Sequence, residues 1–258
     1  VDATGEVQVV ACDADPRIDK APRSAHKKEA NTNDTETINP HRARRESPRK
    51  QEEEKREKKM KMMTPVVKIL GICGSLKKSS VNMSALKYMA SQAARTKGVE
   101  FEIADISDVP FFNPDTEDDK PESVIKLVEQ MKKADAYVLA SPEYNYSFTP
   151  ALKNALDWGS RIPSNEGFKG KAAAILSAGG GLRGGRSQYH LRQVAVFLDL
   201  FVLNKPEVML SAFDGTFDKE TGELVSERSQ QKVVEQLEAL KELAIKLKPA
   251  PIPVEEEL

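Results

Sequence analysis

The run Gly74-Ser-Leu-Lys-Lys-Ser-Ser-Val-Asn82 carries the residue types that hold a phosphate. Ser75, Ser79 and Ser80 offer hydroxyl donors, Asn82 an amide N–H and Lys77 a charge. The run opens into helical periodicity. A helix start presents free backbone N–H groups and the positive end of its dipole, so it favours an anion. Neither Gly-x-x-x-x-Gly-Lys-Ser/Thr nor Gly-x-Gly-x-x-Gly is present, and a terminal phosphate monoester suits the run better than a pyrophosphate. The plain alternative is a strand-to-helix turn with a serine cap.

Two further loops have the right chemistry for a flat, polar-edged ring. Ser141-Pro-Glu-Tyr-Asn-Tyr-Ser-Phe-Thr-Pro150 offers Tyr144 and Tyr146 for packing against such a ring. Backbone N–H groups from Glu143 to Asn145 would face its polar edge, unless the loop instead packs against a subunit. Ser177-Ala-Gly-Gly-Gly-Leu-Arg-Gly-Gly-Arg186 has three consecutive glycines, which let backbone donors approach a ligand closely. Arg183 and Arg186 are candidates for the phosphates of a dinucleotide, with solvated arginines as the alternative.

The elements that must position these loops alternate strand and helix. Val66–Ile72, Glu100–Asp105, Ala136–Ala140, Ala172–Ser177 and Glu207–Leu210 read as strands. Val81 to about Thr96, Pro121–Lys133, Pro150–Trp158, Arg186 to about Asp199 and Ser226–Lys248 read as helices. This alternation predicts an α/β fold, a five-stranded parallel sheet of order 2-1-3-4-5 with helices on both faces, the flavodoxin-like arrangement. Ligands of such sheets sit outside the carboxyl ends of the strands at the switch point. That rule selects the loops after strands one, three and four.

Composition sets the outer bounds. The 258 residues carry a formal net charge of -1, which argues against a general nucleic-acid binder. Two distant cysteines, Cys12 and Cys73, form neither a disulfide framework nor a metal cluster, and point to a reducing, cytoplasmic compartment. No apolar run reaches the ~20 residues of a membrane span. Residues 1–63 lack aromatic side chains and end in a nearly all-charged run, Arg42 to Lys59. They are expected to be a disordered extension before a domain at 64–258, with a natural start near Met60, Met62 or Met63. A targeting role for the basic cluster is weakened by its interleaved glutamates. Cys73 is expected to be a small buried hydrophobe, Trp158 a packing residue and His190 a surface or interface residue. Cys12, His26 and His41 receive no role.

The three loops, with Leu152-Lys-Asn-Ala-Leu-Asp-Trp158, Gly184-Gly-Arg-Ser-Gln-Tyr-His-Leu-Arg-Gln193 and Val196-Phe-Leu-Asp-Leu-Phe-Val-Leu-Asn-Lys-Pro-Glu207, resemble the NADPH-dependent FMN reductases. Within them the likeness is to plant-type NADPH:quinone oxidoreductases and bacterial chromate/quinone reductases, from about Val66 to about Lys248. The resemblance implies FMN as cofactor, NADPH or NADH as cosubstrate and a quinone or similar small acceptor. By position, it implies that Ser75, Lys77, Ser80 and Asn82 bind the FMN phosphate. Pro142, Glu143, Tyr144 and Asn145 would line the isoalloxazine, and Ser177, Gly179, Gly180 and Gly181 its other edge. It implies no indispensable catalytic side chain. Lys77 stands where relatives commonly have Arg, so a weaker phosphate grip is expected there. A homodimer or homotetramer is also implied, with Arg186, Tyr189 and Glu207 near subunit contacts. The competing functions are a supplier of free reduced FMN, and a flavin-binding electron carrier or redox-sensing module without nicotinamide turnover.

Overall fold

The computed structural model describes residues 65–248. The expected N-terminal extension, with Cys12, His26 and His41, lies outside the described residues. Strands β1 (Val67–Cys73), β2 (Val99–Ala104), β3 (Ala136–Ala140), β4 (Ala172–Gly179), β5 (Phe201–Val202) and β6 (Val208–Ser211) form one parallel sheet. Its order is β2-β1-β3-β4-β5, with β6 also pairing β4. The expected order therefore holds, but the last edge is divided. β5 pairs Ala172 and Ala173 at the start of β4, and β6 pairs Leu176 to Gly179 at its end. The sequence reading had a single strand there, because a two-residue strand has no periodicity to detect.

Helices α1 (Val81–Ala93), α2 (Glu122–Lys133), α3 (Pro150–Gly159), α4 (Gly185–Phe197) and α5 (Glu227–Leu247) cover both faces. α2, α3 and α4 pack on one face through Leu127, Met131, Leu152, Leu156, Trp158 and Leu191. α1 and α5 pack on the other through Leu86, Met89, Val233, Leu237 and Leu240. β3 is buried along its whole length, as a central parallel strand must be. Each large aliphatic side chain so buried contributes about 1.5–3 kcal/mol.

Local chemistry sets the helix starts that follow the loops after β1 and β3. Ser80 caps α1 by accepting from the Met83 N–H. Thr149 caps α3 by accepting from the Leu152 N–H, and Pro150 supplies a first residue that needs no donor. α1 ends at Ala93, three residues short of the expected Thr96, and the chain turns into β2 through Gly98 at φ 77°. Among the described residues no helix is long and apolar enough to cross a membrane.

Candidate active site

The loop from Gly74 to Ser80 leaves β1 at the carboxyl edge of the sheet. Gly74 is needed for packing, because a Cβ there would lie 2.3 Å from the Thr149 hydroxyl and 2.9 Å from Leu152. The loop is thereby pressed against the start of α3. Ser75 and Ser80 are buried, and Leu76, Lys77, Lys78 and Ser79 are exposed. The Ser80 oxygen accepts from Met83, which leaves its O–H free to donate. The hydroxyls, the first N–H groups of α1 and Lys77 form an anion cradle with no acidic side chain among residues 74–82.

Asn82 sits differently from the expectation. Its Nδ2 donates to the Ala178 carbonyl at 2.9 Å, and its Oδ1 accepts from the Ala178 N–H at 2.8 Å. It is buried. The side chain clamps the start of α1 to β4, so its first task is to fix the spacing between the phosphate loop and the glycine loop. The spacing in sequence gave no sign of this, since the partner lies 96 residues away.

The loop after β3 is a tight turn rather than a long irregular loop. Tyr144 N–H donates to the Ser147 carbonyl at 2.8 Å and Ser147 N–H to the Tyr144 carbonyl at 3.0 Å. The two residues between them, Asn145 and Tyr146, have φ of 49° and 71°. A two-residue turn of this hand needs positive φ at both positions, which a tyrosine adopts only under strain. Consequently the Tyr144 N–H is not available to a ring, whereas the Tyr144 side chain is half-exposed. The Glu143 carboxylate is also engaged. It accepts from the Arg186 N–H at 3.1 Å and from Arg186 Nε at 2.5 Å. The same guanidinium lies 3.5 Å over the Tyr146 ring. One turn further along α4, His190 Nδ1 is 2.9 Å from Ser147 Oγ. Helix α4 thus holds the strained turn at three points. Arg186, a candidate for a dinucleotide phosphate by sequence, is committed to this hold.

Ser177 also departs from its expected role. It is fully buried, its hydroxyl donates to the Arg183 carbonyl at 2.7 Å, and it accepts from Gln188 Nε2 at 2.8 Å. It shapes the glycine loop from below instead of facing a ligand. Gly184, at φ 84°, must be glycine, because a Cβ would fall 2.5 Å from Ser177 Cβ. At Gly179 a Cβ would come 3.2 Å from the Gly184 nitrogen. Gly180 and Gly181 are exposed, and no protein atom crowds the place of their side chains: only Phe213 comes within 4 Å of Gly180, and nothing does at Gly181. Neither has positive φ.

A fourth wall escaped the switch-point rule. The loop after β2 joins Leu76, Lys77, Tyr144 and the start of α3 around a cavity of about 550 Å³. Asn154 of α3 holds that loop, donating to the Pro110 carbonyl at 2.8 Å and accepting from the Phe112 N–H at 2.7 Å. Trp158 Nε1 donates to the same Pro110 carbonyl, and its ring meets Phe112 edge-on with 5.1 Å between centroids. Trp158 is a packing residue, as expected. The aromatic pair Phe111-Phe112 after a strand was the signal available for this wall. Cys73 is buried, and burial pushes its thiol up from the ordinary value, consistent with an inert packing residue.

The site fits a flavin mononucleotide. The anion cradle suits a phosphate monoester. The bare backbone at Gly180 and Gly181 is a place where a ring edge can approach and no packing demand explains the glycines. The turn from Pro142 to Asn145, held by α4, follows β3 at the same carboxyl edge of the sheet.

The sequence profile of the NADPH-dependent FMN reductases matches residues 67–215. An NAD(P)H:quinone oxidoreductase of Solanum tuberosum is 48% identical over 189 residues, 71% of this chain and 96% of the relative. A quinone reductase of Escherichia coli is 36% identical over 189 residues, 72% of this chain and all of the relative. Among solved structures, the flavoenzyme NAD(P)H:(acceptor) oxidoreductase FerB of Paracoccus denitrificans superposes with a TM-score of 0.61 at 27% identity, covering 70% of this chain and 98% of that one. Profile and relatives span the elements that build the three loops, and on that ground the chain belongs to the NADPH-dependent FMN reductase family.

Proposed function

We propose that this protein is an FMN-dependent NAD(P)H:quinone oxidoreductase, and that residues 64–258 carry the activity. The observation that carries the reading is the pair Gly180 and Gly181, exposed glycines whose side-chain positions no described residue crowds, at the same sheet edge as a strained turn that α4 holds in place. The names of the potato and E. coli relatives support a quinone as the acceptor.

When bound, FMN supplies a two-electron hydride relay between a reduced nicotinamide and an acceptor. The chain's own residues bind and orient. Ser75, Lys77, Ser80 and the first turn of α1 hold the phosphate, with Asn82 fixing their distance from β4. Pro142, Glu143, Tyr144 and Asn145 line one side of the ring through backbone and the Tyr144 side chain. Gly179, Gly180 and Gly181 present backbone N–H donors at the other edge, where they favour negative charge. Ser177 shapes that loop. No side chain is assigned as an acid or base. The cavity beside Tyr144, walled by Leu76, Ile106, Pro110 and Phe111, suits a flat, mainly apolar acceptor.

The reading includes a cytoplasmic homodimer or homotetramer. Its support is the family resemblance, the two distant cysteines and the exposed Tyr189, Val196 and Phe197 along α4. The test is product stoichiometry with the FMN-loaded full chain and a benzoquinone. One hydroquinone should appear for each NAD(P)H consumed, and turnover without hydroquinone would rule the acceptor class out.

A further inference from the structure

Gln188 has no part in the chemistry above, yet it is 2% exposed on the first turn of α4. A buried amide must have its hydrogens answered. Its Nε2 donates to the Val208 carbonyl at 2.8 Å and to the Ser177 oxygen at 2.8 Å. Ser177, 0% exposed, passes its own hydroxyl hydrogen to the Arg183 carbonyl at 2.7 Å. The chain of bonds joins β6 and β4 to the glycine loop, and Val208 fixes its direction. A carbonyl only accepts, so the amide must turn its NH2 group toward Val208, and the same nitrogen then supplies Ser177. With a donor against its oxygen, the Ser177 hydroxyl is left to donate to Arg183.

What the chain holds is a strained piece of backbone. Arg183 has φ 53° and Gly184 has φ 84°. The left-handed region resists a residue with a side chain, so Arg183 stays there only while its surroundings hold it. Its guanidinium supplies little, being 3.9 Å from an Asp214 carboxylate that is as exposed as itself. The firm attachment is the carbonyl. The Arg183 N–H donates back to the Gly180 carbonyl at 2.8 Å and closes a tight turn over residues 180–183. In that turn the N–H groups of Gly180, Gly181 and Leu182 make no hydrogen bond among the described residues, and all three residues are exposed. Successive unanswered donors of this kind favour negative charge. Their arrangement depends on where the Arg183 carbonyl is pinned. Arg186 and Gln188 therefore divide the first turn of α4. Two positions apart, they leave different faces of the helix, one holding the turn after β3 and the other the loop after β4.

We propose that Gln188 is a positioning residue for the flavin: through Ser177 it pins the Arg183 carbonyl, keeps the N–H groups of Gly180, Gly181 and Leu182 in place for the reduced, negatively charged FMN, and so helps set the reduction potential. The proposal rests on the reductase reading. It deepens that reading by naming the buried side chain on which the glycine loop depends.

The test uses the full chain with Gln188→Met, Ser177→Ala, the two combined, and Leu191→Ala. None of these changes the charge, so a shifted potential is not a matter of added charge. Leu191 is a buried packing residue of the same helix outside the chain of bonds, and its variant shows what general loosening of α4 does. Flavin titration of each apoprotein gives the affinity for oxidised FMN. Anaerobic dithionite titration against a reference dye gives the midpoint potential, and the two together give the affinity for reduced FMN. Gln188→Met and Ser177→Ala should each weaken reduced FMN about tenfold more than oxidised FMN. That is a fall of ~30 mV in a two-electron midpoint. The combined variant should fall no further than either alone, because the residues act in series. Leu191→Ala should lower the thermal unfolding midpoint and leave the potential unchanged. Wild-type potentials in both Gln188→Met and Ser177→Ala would overturn the inference, as would an equal fall in Leu191→Ala. Dithionite needs no nicotinamide, so a protein that oxidises neither NADPH nor NADH would end the reductase reading while the potentials still decide the role of Gln188. A wild-type chain that takes up no FMN would overturn both.

Discussion

Arg186 grips the Glu143 carboxylate through its backbone N–H at 3.1 Å and its Nε at 2.5 Å, with the guanidinium 3.5 Å over the Tyr146 ring. This relationship joins α4 to the turn proposed above to line the flavin ring. Glu143 is the more buried partner, its side chain 11% exposed. Removing the guanidinium leaves a mostly buried carboxylate with only the backbone N–H of residue 186 as donor and releases a tyrosine held at positive φ. Arg186→Ala should therefore weaken FMN binding on the order of tenfold, read from flavin titration of the apoprotein. Arg186→Lys should recover only part of the loss, because an ammonium lacks the fork and the planar stacking face. Equal affinity in all three proteins would show that the turn is not held for the flavin.

Glycines of the same loop should separate into two behaviours. Gly184→Ala meets Ser177 at 2.5 Å with φ 84°, so it should destabilise the fold by more than about 1 kcal/mol in denaturant unfolding. Gly181→Ala meets no protein atom within 4 Å, so stability should stay within about 0.5 kcal/mol. Its FMN affinity should nevertheless fall. A Gly181→Ala protein that binds FMN normally would mean that the ring edge does not approach there.

The Asn82 clamp makes a stability prediction. Asn82→Ala leaves the buried Ala178 N–H and carbonyl without partners, at a cost of roughly 2–4 kcal/mol. Asn82→Asp keeps the acceptor for the N–H but sets a carboxylate against the Ala178 carbonyl. Protonation relieves that contact, so the Asp variant should gain stability as pH falls, measured as a chemical-denaturation midpoint. A pH-independent difference from wild type would contradict the clamp.

Alkaline pH should act through two groups in opposite directions. Burial lowers the Lys171 pKa to about 8, although Asp135 and Glu166 pull it upward, and its Nζ donates to the Met131 carbonyl at 2.9 Å. Between about pH 8 and the unperturbed 10.5 the unfolded chain binds the extra proton, so this group makes stability rise with pH. Tyr137 behaves oppositely. Burial raises its pKa above the ordinary 10.0, and its hydroxyl donates to the Met131 and Gly167 carbonyls. Above pH 10.0 the unfolded chain ionises first, and stability falls. Lys171→Gln should remove the rise, and Tyr137→Phe should remove the fall, each read from unfolding free energy against pH.

Much of the fold was legible because buried parallel strands and amphipathic helices leave strong periodicities. β3 at Ala136–Ala140 and the start of α3 at Pro150 stand where the sequence puts them. The site was legible as three loops at one edge. The inner assignments were not, because they depend on partners far apart in sequence. Asn82 and Ser177 have the right types for ligand donors, yet Ala178 and Gln188 take up their side chains. The turn at Asn145-Tyr146 lacks the glycine that normally announces positive φ. The Asn154-held wall at Pro110 became visible only once α3 was packed beside it.

The central claim is hydride transfer from a nicotinamide through FMN held by these loops to a quinone. Its most direct test is an anaerobic titration of the FMN-loaded full chain with NADPH and with NADH, followed by a benzoquinone. The account predicts that one equivalent of at least one dinucleotide bleaches the flavin absorbance, and that one equivalent of quinone restores it. A yellow protein whose spectrum neither dinucleotide changes would contradict the account and leave a flavin-binding electron carrier in its place.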